Sequence, residues 1–371
     1  MAKGELIICS PQLGISPDST LGGEVYDREV LERMANFGAN IYVYLPKSRI
    51  YKKNKNLEVE YAPAKHMVPP YLFNIFVLPY LFRKYKEIKF PILRVHSHFI
   101  APAVILFKLL NPKVKVISHY HLDHKGFFVT LLNKILFSIS DLIIADSHFL
   151  KNRLIKKFPG LEKKIKVIYT GVDQKQIKPI QKDKRLLDKY KINGKFVITF
   201  LGRFIKRKNP HFLIKLLKNL PENFVLVLVG DGSEKNNLLE MARKLNVENR
   251  VIFPGILFGK EKLAHYSISD VFAFPSQNEG FVLAVLEAMS AGLPLILPKS
   301  GAFPEAVTHG VNGFLVKPES ISDFKEKIIK LKKSPNLRHR MSLASRQRVL
   351  KEFTWDITAK KNILFCKDII K

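Results

Sequence analysis

Short apolar runs recur along the chain, each ending in a polar turn, most of them leading into a stretch with helical spacing. This alternation restricts the chain to one kind of sheet. Leu6-Ile7-Ile8-Cys9 leads through a loop, Pro11 to Gly23, into Val25 to Phe37, where Val25, Val30, Leu31 and Met34 fall at helical spacing. Gly38-Ala39-Asn40 stops that helix, and Ile41 to Leu45 is the next strand. Val114 to Ser118 and Asp141 to Ser147 continue the series. Gln174 to Asn193 is polar and Lys-rich, with Pro179, and reads as a linker and surface segment. The pattern then restarts with Phe196 to Leu201, Phe224 to Val229 and Val271 to Phe274. Strands alternating with helices build parallel sheets with right-handed crossovers. The sequence therefore predicts an α/β protein of two doubly wound, Rossmann-like domains, residues 1–175 and 190–355, with ligands at the strand C-terminal ends.

Composition narrows the classes. The 371 residues suffice for two domains, and 47% hydrophobic content with 27 Phe is globular. Cys9 and Cys366 are the two cysteines, too few for a disulfide framework, which suits a reducing, cytoplasmic compartment. Met1-Ala2-Lys3-Gly4 leads straight into a strand-like run, so no signal peptide is expected. The longest apolar run, Tyr71 to Phe82, is broken by Pro79 and falls short of the roughly 18 residues that span a bilayer. With 62 basic against 32 acidic residues the net charge is +30, which admits nucleic acid, anionic membrane or phosphorylated ligands. The excess is spread over both halves and reads mostly as a Lys-rich solvated surface. A nucleic-acid binder would carry a dense basic stripe with stacking aromatics, or a known motif, so no nucleic-acid partner is expected.

The stretch richest in chemistry is Pro275 to Gly292. A strand, Val271 to Phe274, enters a turn-rich loop, and Phe281 to Ala291 reads as a helix stopped by Gly292. Glu279 lies in the loop and Glu287 eight residues on, a separation of about 12 Å along a helix. Between them, near Val282 and Leu283, the first free N–H groups of the helix favour an anion. A carboxylate, an anion cradle and a second carboxylate match the order sugar, diphosphate, ribose. Taken alone, the two Glu residues read as solvated carboxylates. Their surroundings change that reading.

Gly202 to Pro210 is a basic loop after a strand, and a Gly22-Gly23 pair opens the first helix where backbone can approach a phosphate. Five histidines, His96, His98, His119, His121 and His124, cluster at two strand ends. Their spacing is not that of a zinc site and no thiols accompany them, so no bound metal is expected.

These segments together resemble the retaining glycosyltransferases of family 4, which have the GT-B fold, two Rossmann-like domains facing across a cleft. The likeness rests on the Glu279-x7-Glu287 signature, on Gly292-Leu293-Pro294, Gly301 to Val307 and Asn312-Gly313-Phe314, and on Gly202-Arg203-x4-Lys208. Asp141 to Ser147 and Ile165 to Asp173 extend it. It covers nearly the whole chain, densest over 196–316 and thinnest over 47–135. The resemblance implies sugar transfer from a nucleotide-diphosphate sugar to a glycan or lipid-linked acceptor with anomeric retention, in cell-envelope polysaccharide or glycolipid synthesis, needing no cofactor. It implies that Arg203 and Lys208 grip the diphosphate, that Glu287 binds the ribose hydroxyls, and that Phe253 and Pro254 meet the base. Glu279 and the amides of Gly280, Phe281, Val282 and Leu283 would position sugar and phosphate. His121 would touch the sugar, with His119 the competitor for that role, and Gly23 would approach phosphate or acceptor. Lys206 and Arg207 read as solvated surface. Residues 356–371 would form a helix crossing back to the first domain. Val282 and Asn209 depart from the family pattern, which favours Gly at both places. A non-catalytic sugar-nucleotide binder is the alternative, as is a basic nucleic-acid-binding protein.

One stretch stands outside these roles. Pro69 to Phe90 interleaves seven aromatics with Arg83, Lys84, Lys86 and Lys89 against one acid, Glu87. It reads either as a core helix with a solvated end or as an anchor on the anionic inner face of the membrane.

Overall fold

A computed structural model describes residues 5–15, 19, 21–46, 56–63, 69–96, 98–121 and 126–371. Ser97, Leu122, Asp123, His124 and part of the Pro11–Gly23 loop, all read from the sequence above, lie outside the described residues. The chain divides into two compact units, Met1–Gly171 with Trp355–Lys371, and Val172–Thr354.

The first unit holds seven strands: β1 (Ile7–Pro11), β2 (Asn40–Leu45), β3 (Leu57–Tyr61), β4 (Ile92–Val95), β5 (Lys115–Tyr120), β6 (Leu142–Ala145) and β7 (Ile165–Val167). Their order is β3-β2-β1-β4-β5-β6-β7, with every pairing parallel. The second unit holds β8 (Phe196–Leu201), β9 (Phe224–Val229), β10 (Val251–Gly255), β11 (Val271–Ala273), β12 (Leu295–Pro298) and β13 (Gly313–Val316). Their order is β10-β9-β8-β11-β12-β13, again all parallel. In each sheet the order reverses at the first strand, which places a topological switch point beside β1 and beside β8. All six residues of Phe-Val-Leu-Val-Leu-Val in β9 are buried, as a strand covered on both faces requires.

In the first unit, α1 (Gly22–Asn36) follows β1, α2 (Asn74–Ile88) precedes β4, α3 (Ala101–Leu110) links β4 to β5, and α4 (Phe127–Ile139) links β5 to β6. The helix Trp355–Ile370 packs on α1, where Arg33 Nε meets Asp356 Oδ1 at 3.0 Å and the Trp355 ring meets Tyr26 edge-on. In the second unit, a helix at Lys184–Tyr190 stands inside the segment read as linker, with Asp183 capping it by accepting from the Leu186 amide.

The stretch around Tyr71 is partly core and partly exposed. Within α2, Val77, Tyr80 and Leu81 are buried, and Tyr80 stacks on Tyr44 of β2 with centroids 4.0 Å apart. The helix runs through Pro79. The carbonyl that Pro79 leaves without a donor belongs to Ile75, in the exposed first turn, where water can serve it. Of the four basic residues expected to meet lipid, Lys84 is taken up within the fold, while Arg83, Lys86 and Lys89 stay exposed. Lys84 is buried and meets Glu60 at 2.6 Å, Glu58 at 2.9 Å and Glu87 at 3.2 Å, and Arg83 pairs with Glu60 and Glu87. The partners Glu58 and Glu60 come from β3, a strand with no clear sequence signal.

One close approach fixes the end of β9. Gly230 has φ +137, and a Cβ there would lie 2.0 Å from the Gly202 carbonyl oxygen at the end of β8. Gly230→Ala should therefore destabilise the second unit by more than about 2 kcal/mol, read as a lowered thermal midpoint. An unchanged midpoint would show that the two strand ends are not so closely packed.

Candidate functional site

The candidate residues fall into two groups, one in each unit. In the second unit the loop after β8 is pinned by Phe204, fully buried, so its polar neighbours turn outward and Arg203 is exposed. The loop then makes a 3-10 turn, Lys206–Lys208, and ends at Asn209 with φ +52. Asn tolerates this left-handed backbone better than most side chains, so the departure from the Gly of the family pattern is accommodated without a break in the turn. Pro210 follows at the start of the helix Pro210–Lys218, where its missing N–H costs nothing.

Glu279 is the centre of this group and is buried. Its Oε1 accepts from Arg207 Nη1 at 2.5 Å and Ser276 Oγ at 2.5 Å, and lies 2.9 Å from Lys208 Nζ. Ser276 Oγ also lies 2.8 Å from the Arg207 carbonyl, tying the two loops together. Lys208 sits over the Phe274 ring, 5.2 Å from its centroid. Behind the loop, Gly301 with φ +61 brings its backbone so close that a Cβ would lie 2.4 Å from the Glu279 carbonyl oxygen, which accepts from the Ala302 amide at 2.8 Å. Burial works to raise the Glu279 pKa, but Lys208, Arg207 and Ser276 outweigh it and hold the carboxyl below its ordinary range. Burial is also the main reason that the Lys208 pKa falls, and the nearby Arg207 and Arg203 charges add to it against the pull of Glu279. Arg207 stays exposed, as the sequence suggested, yet one of its guanidinium nitrogens reaches the buried carboxylate. It is one of the three donors that fix Glu279.

The helix begins later than the sequence predicts. It runs Leu283–Ser290, and Val282 is its N-cap with φ −100 and ψ 116, an extended conformation that a β-branched residue favours. Gly280 to Val282 are therefore loop, and the helical rise between Glu279 and Glu287 does not apply. The leading amides of the helix, at Leu283 and Ala284, point out of its end as an anion site requires. Glu287 meets Lys262 Nζ at 2.6 Å and accepts from Tyr266 Oη at 3.0 Å. Lys262 and Tyr266 stand one turn apart on the helix Gly259–Ser267 and so share a face. Phe253 and Pro254 are half-buried at the end of β10, with Phe253 edge-on to Phe204.

In the first unit β5 extends through His119 to Tyr120, so His119 is a strand residue and not a loop residue. His121 follows two positions on, which puts both rings on the same side of the sheet. His96 follows the neighbouring strand β4. The three rings stack nearly parallel, His96 on His121 with centroids 4.3 Å apart and His119 5.7 Å from each. His119 is buried and His121 is the more open of the two. Gly23 is the second residue of α1, and a Cβ there would lie 3.5 Å from His96 Nε2. Behind the rings, buried Asp27 meets Arg94 Nη1 at 2.6 Å and His96 Nδ1 at 2.7 Å. Burial favours the neutral acid, yet His96 and Arg94 keep Asp27 below the ordinary carboxylate value. Burial pushes His96 down to about 4 and His119 well below its usual value. His121 Nδ1 faces Asp146 Oδ2 at 3.4 Å. His98 is buried against the Phe99 ring.

Arg207, Lys262, Tyr266, Asp27, Arg94 and Asp146 were not singled out as site residues from sequence. The spacing of Lys262 and Tyr266 signals a shared face, and Asp146 stands in a strand-end segment. Nothing local marks which cation of Lys206-Arg207-Lys208 turns inward.

Comparison with known proteins gives this geometry a family. Residues 21–176 match Glycosyltransferase Family 4 and residues 182–348 match Glycosyl transferases group 1. An uncharacterized glycosyltransferase of Methanocaldococcus jannaschii is 27% identical over 350 residues, 87% of this chain and 88% of its own. The protein YtcC of Bacillus subtilis is 30% identical over 282 residues, 70% of this chain and 68% of its own. In structure, Anabaena HepE in complex with UDP and glucose superposes with a TM-score of 0.81 at 19% identity, covering 98% of this chain and 100% of that one. The two parallel Rossmann-like sheets are those of GT-B proteins. The chain belongs to the glycosyltransferases of family 4, with a group 1 transferase domain, and is a transferase enzyme.

The depressed Glu279 carboxyl sets a pH dependence. Its folded pKa lies below 4.5, so its contribution to stability is complete above that value and is lost as pH falls through the folded pKa. Glu279→Gln should lower the thermal midpoint of the second unit by several degrees at pH 7. The gap between the two proteins should close in acid, as pH falls through the depressed pKa of the folded protein. A gap independent of pH would mean that Glu279 acts by shape alone.

Proposed function

We propose that this glycosyltransferase moves a sugar from a nucleotide-diphosphate sugar to a glycan or lipid-linked acceptor, with retention at the anomeric carbon. The observation that carries the reading is the cluster Arg207, Lys208 and Glu279 beside exposed Arg203 and the leading amides of the helix Leu283–Ser290. Three cations against one carboxylate leave a positive surplus, and a diphosphate supplies the missing charge. Arg203 offers a planar fork to phosphate oxygens and Lys208 a point charge. Both stabilise the leaving group as it gains charge. Glu279 positions the sugar with the amides of Gly280, Phe281, Val282 and Leu283. Glu287, oriented by Lys262 and Tyr266, accepts from the ribose hydroxyls, and Phe253 and Pro254 flank the base. His121 contacts the sugar near the reacting carbon, and Gly23 leaves room for phosphate or acceptor at the start of α1. The acceptor hydroxyl attacks the face the leaving group departs from, and the departing phosphate takes its proton. HepE, crystallised with UDP and glucose, supports a donor of this class.

Incubation with a panel of UDP-, GDP- and ADP-sugars, scored by released nucleotide, tests the reading. Binding without release would make the protein a sugar-nucleotide binder. Arg203→Ala and Lys208→Ala should each lower turnover at least about tenfold, with Lys206→Ala near neutral. Glu287→Gln should weaken nucleoside diphosphate binding with the fold intact. His121→Ala should lower turnover more than nucleotide affinity. If His119→Ala shows that pattern instead, the sugar contact belongs to His119.

The acceptor reading extends to the membrane, at its cytoplasmic face and in envelope polysaccharide or glycolipid synthesis. Among the described residues no helix is long and apolar enough to cross a bilayer. Instead α2 with the turn before it, α3 and α4 expose Leu72, Ile75, Leu109, Leu110, Phe127 and Phe128, with Phe127 86% exposed. Lys113, just after α3, and Lys134, within α4, are exposed as well. Apolar side chains entering the headgroup boundary and cations meeting anionic lipid are what a peripheral protein offers. In sedimentation, the protein should pellet with anionic vesicles at low salt and less at high salt. Phe127→Ser with Phe128→Ser should abolish pelleting. A protein that stays in the supernatant with anionic vesicles has a soluble acceptor.

A further inference from the structure

We propose that Arg346, on the helix Pro335–Glu352, is a positioning residue for the nucleotide-sugar site, a role that rests on the donor reading above. It holds the helix Leu283–Ser290, which carries Glu287 and the leading amides, from the end remote from those amides.

That helix has eight residues, so its two ends lie about 12 Å apart. A helix this short has little stability of its own, and its axis is set by what packs against it. Each of its last four carbonyls has a donor from outside the helical ladder, as a buried helix end requires. Those of Glu287, Ala288 and Met289 accept from the amides of Ala291, Leu293 and Gly292. That of Ser290 accepts from Arg346 Nη1 at 3.0 Å. A cation here also suits the negative end of the helix dipole.

The guanidinium does more than cap. Nη1 also donates to Ser290 Oγ at 2.7 Å and to the Ile177 carbonyl at 3.0 Å, and Nη2 donates to the Gln174 carbonyl at 2.9 Å. Fully buried Ser290 donates in turn from Oγ to the Ile177 carbonyl at 2.5 Å. One planar group thus joins three stretches of chain: its own helix, the end of the helix that carries Glu287, and residues 174–177, the start of the segment that reads as a linker. A rigid fork of donors can do this where the point charge of an ammonium cannot. Glu287 lies one turn before Ser290, so a helix displaced at Ser290 carries Glu287 and the leading amides with it. Arg348, two residues on, serves a different segment, with Nη1 on Thr308 Oγ1 at 2.6 Å and Nη2 on the Glu305 carbonyl at 2.8 Å.

The test measures calorimetric binding of UDP, GDP and ADP to the full chain as parent, Arg346→Met, Glu287→Gln and the double variant. Arg346→Met should weaken binding of the nucleotide that the parent prefers about tenfold. Because Arg346 acts through the helix of Glu287, the two losses should not add, and Glu287→Gln should cost less affinity in the Arg346→Met background than in the parent. A role in stability alone would lower the thermal midpoint and leave the losses additive. Arg348→Met should leave the cost of Glu287→Gln as it is in the parent. If Arg346→Met fails to fold, Arg346→Lys, which keeps the charge at the helix end and loses the fork, should show the same non-additivity. Unchanged affinity or additive losses in a folded Arg346 variant would overturn the proposal and leave the donor reading standing. A parent that binds none of the three nucleotides would overturn both.

Discussion

Parallel pairing of every strand is the constraint on which the rest depends. A parallel strand cannot return by a tight turn, so each must be followed by a crossover long enough to carry the chain back. In a doubly wound sheet those crossovers cover both faces, which is why β9 is apolar throughout. The one place left open to ligands is the edge where strands end and crossovers begin. The candidate groups lie there in both sheets. Gly23 follows β1, His96 follows β4, His119 and His121 close β5, and Asp146 follows β6. Arg203 to Lys208 follow β8, Phe253 and Pro254 close β10, and Glu279 follows β11.

Placing charges at strand ends brings a cost, because the ends are partly buried. Glu279 and Lys208 are both removed from water, and a lone charge in either position would be expensive. The second unit meets this with a surplus of donors. Arg207, Lys208 and Ser276 converge on one carboxylate oxygen, and Gly301 lets the opposing backbone hold the loop from behind. The first unit does the same with Asp27 between Arg94 and His96. In both units a buried carboxylate fixes cationic or imidazole groups in one orientation. That order, more than any stability it adds, is what a site for a charged ligand requires.

How much of this could be read from sequence divides along physical lines. The apolar runs of β8 and β9 announced themselves to the residue, because burial on both faces leaves β9 no polar position and β8 only Thr199 in mid-strand, so nothing blurs the ends. By contrast β3, Leu-Glu-Val-Glu-Tyr, lies at the sheet edge and two of its five residues are Glu, so it carried no clear signal. Missing β3 also misplaced Lys84, whose partners Glu58 and Glu60 are there. Residues that a motif marks in the sequence do find partners in the structure where they are buried: Lys208 and Glu279 meet each other and Glu287 meets Lys262 and Tyr266, while Arg203 stays exposed. Direction was not legible. Arg207 and Lys206 are adjacent and chemically alike, and only the 3-10 turn decides that Arg207 reaches Glu279.

The two departures from the family pattern show why backbone geometry, and not residue identity, is the quantity to compare. At Asn209 the left-handed backbone survives, because Asn can adopt it at modest cost. At Val282 the backbone is extended, so glycine's freedom is not needed, and valine's preference for that region delays the helix to Leu283. The first substitution preserves the local fold and the second sets its boundary. Neither disturbs Lys208 or Glu279, whose positions depend on Phe274, Ser276 and Gly301 behind them. Val282, as the N-cap, is the last residue before the leading amides of the helix, so the substitution there bears on the approach to those amides and not on the Lys208–Glu279 pair.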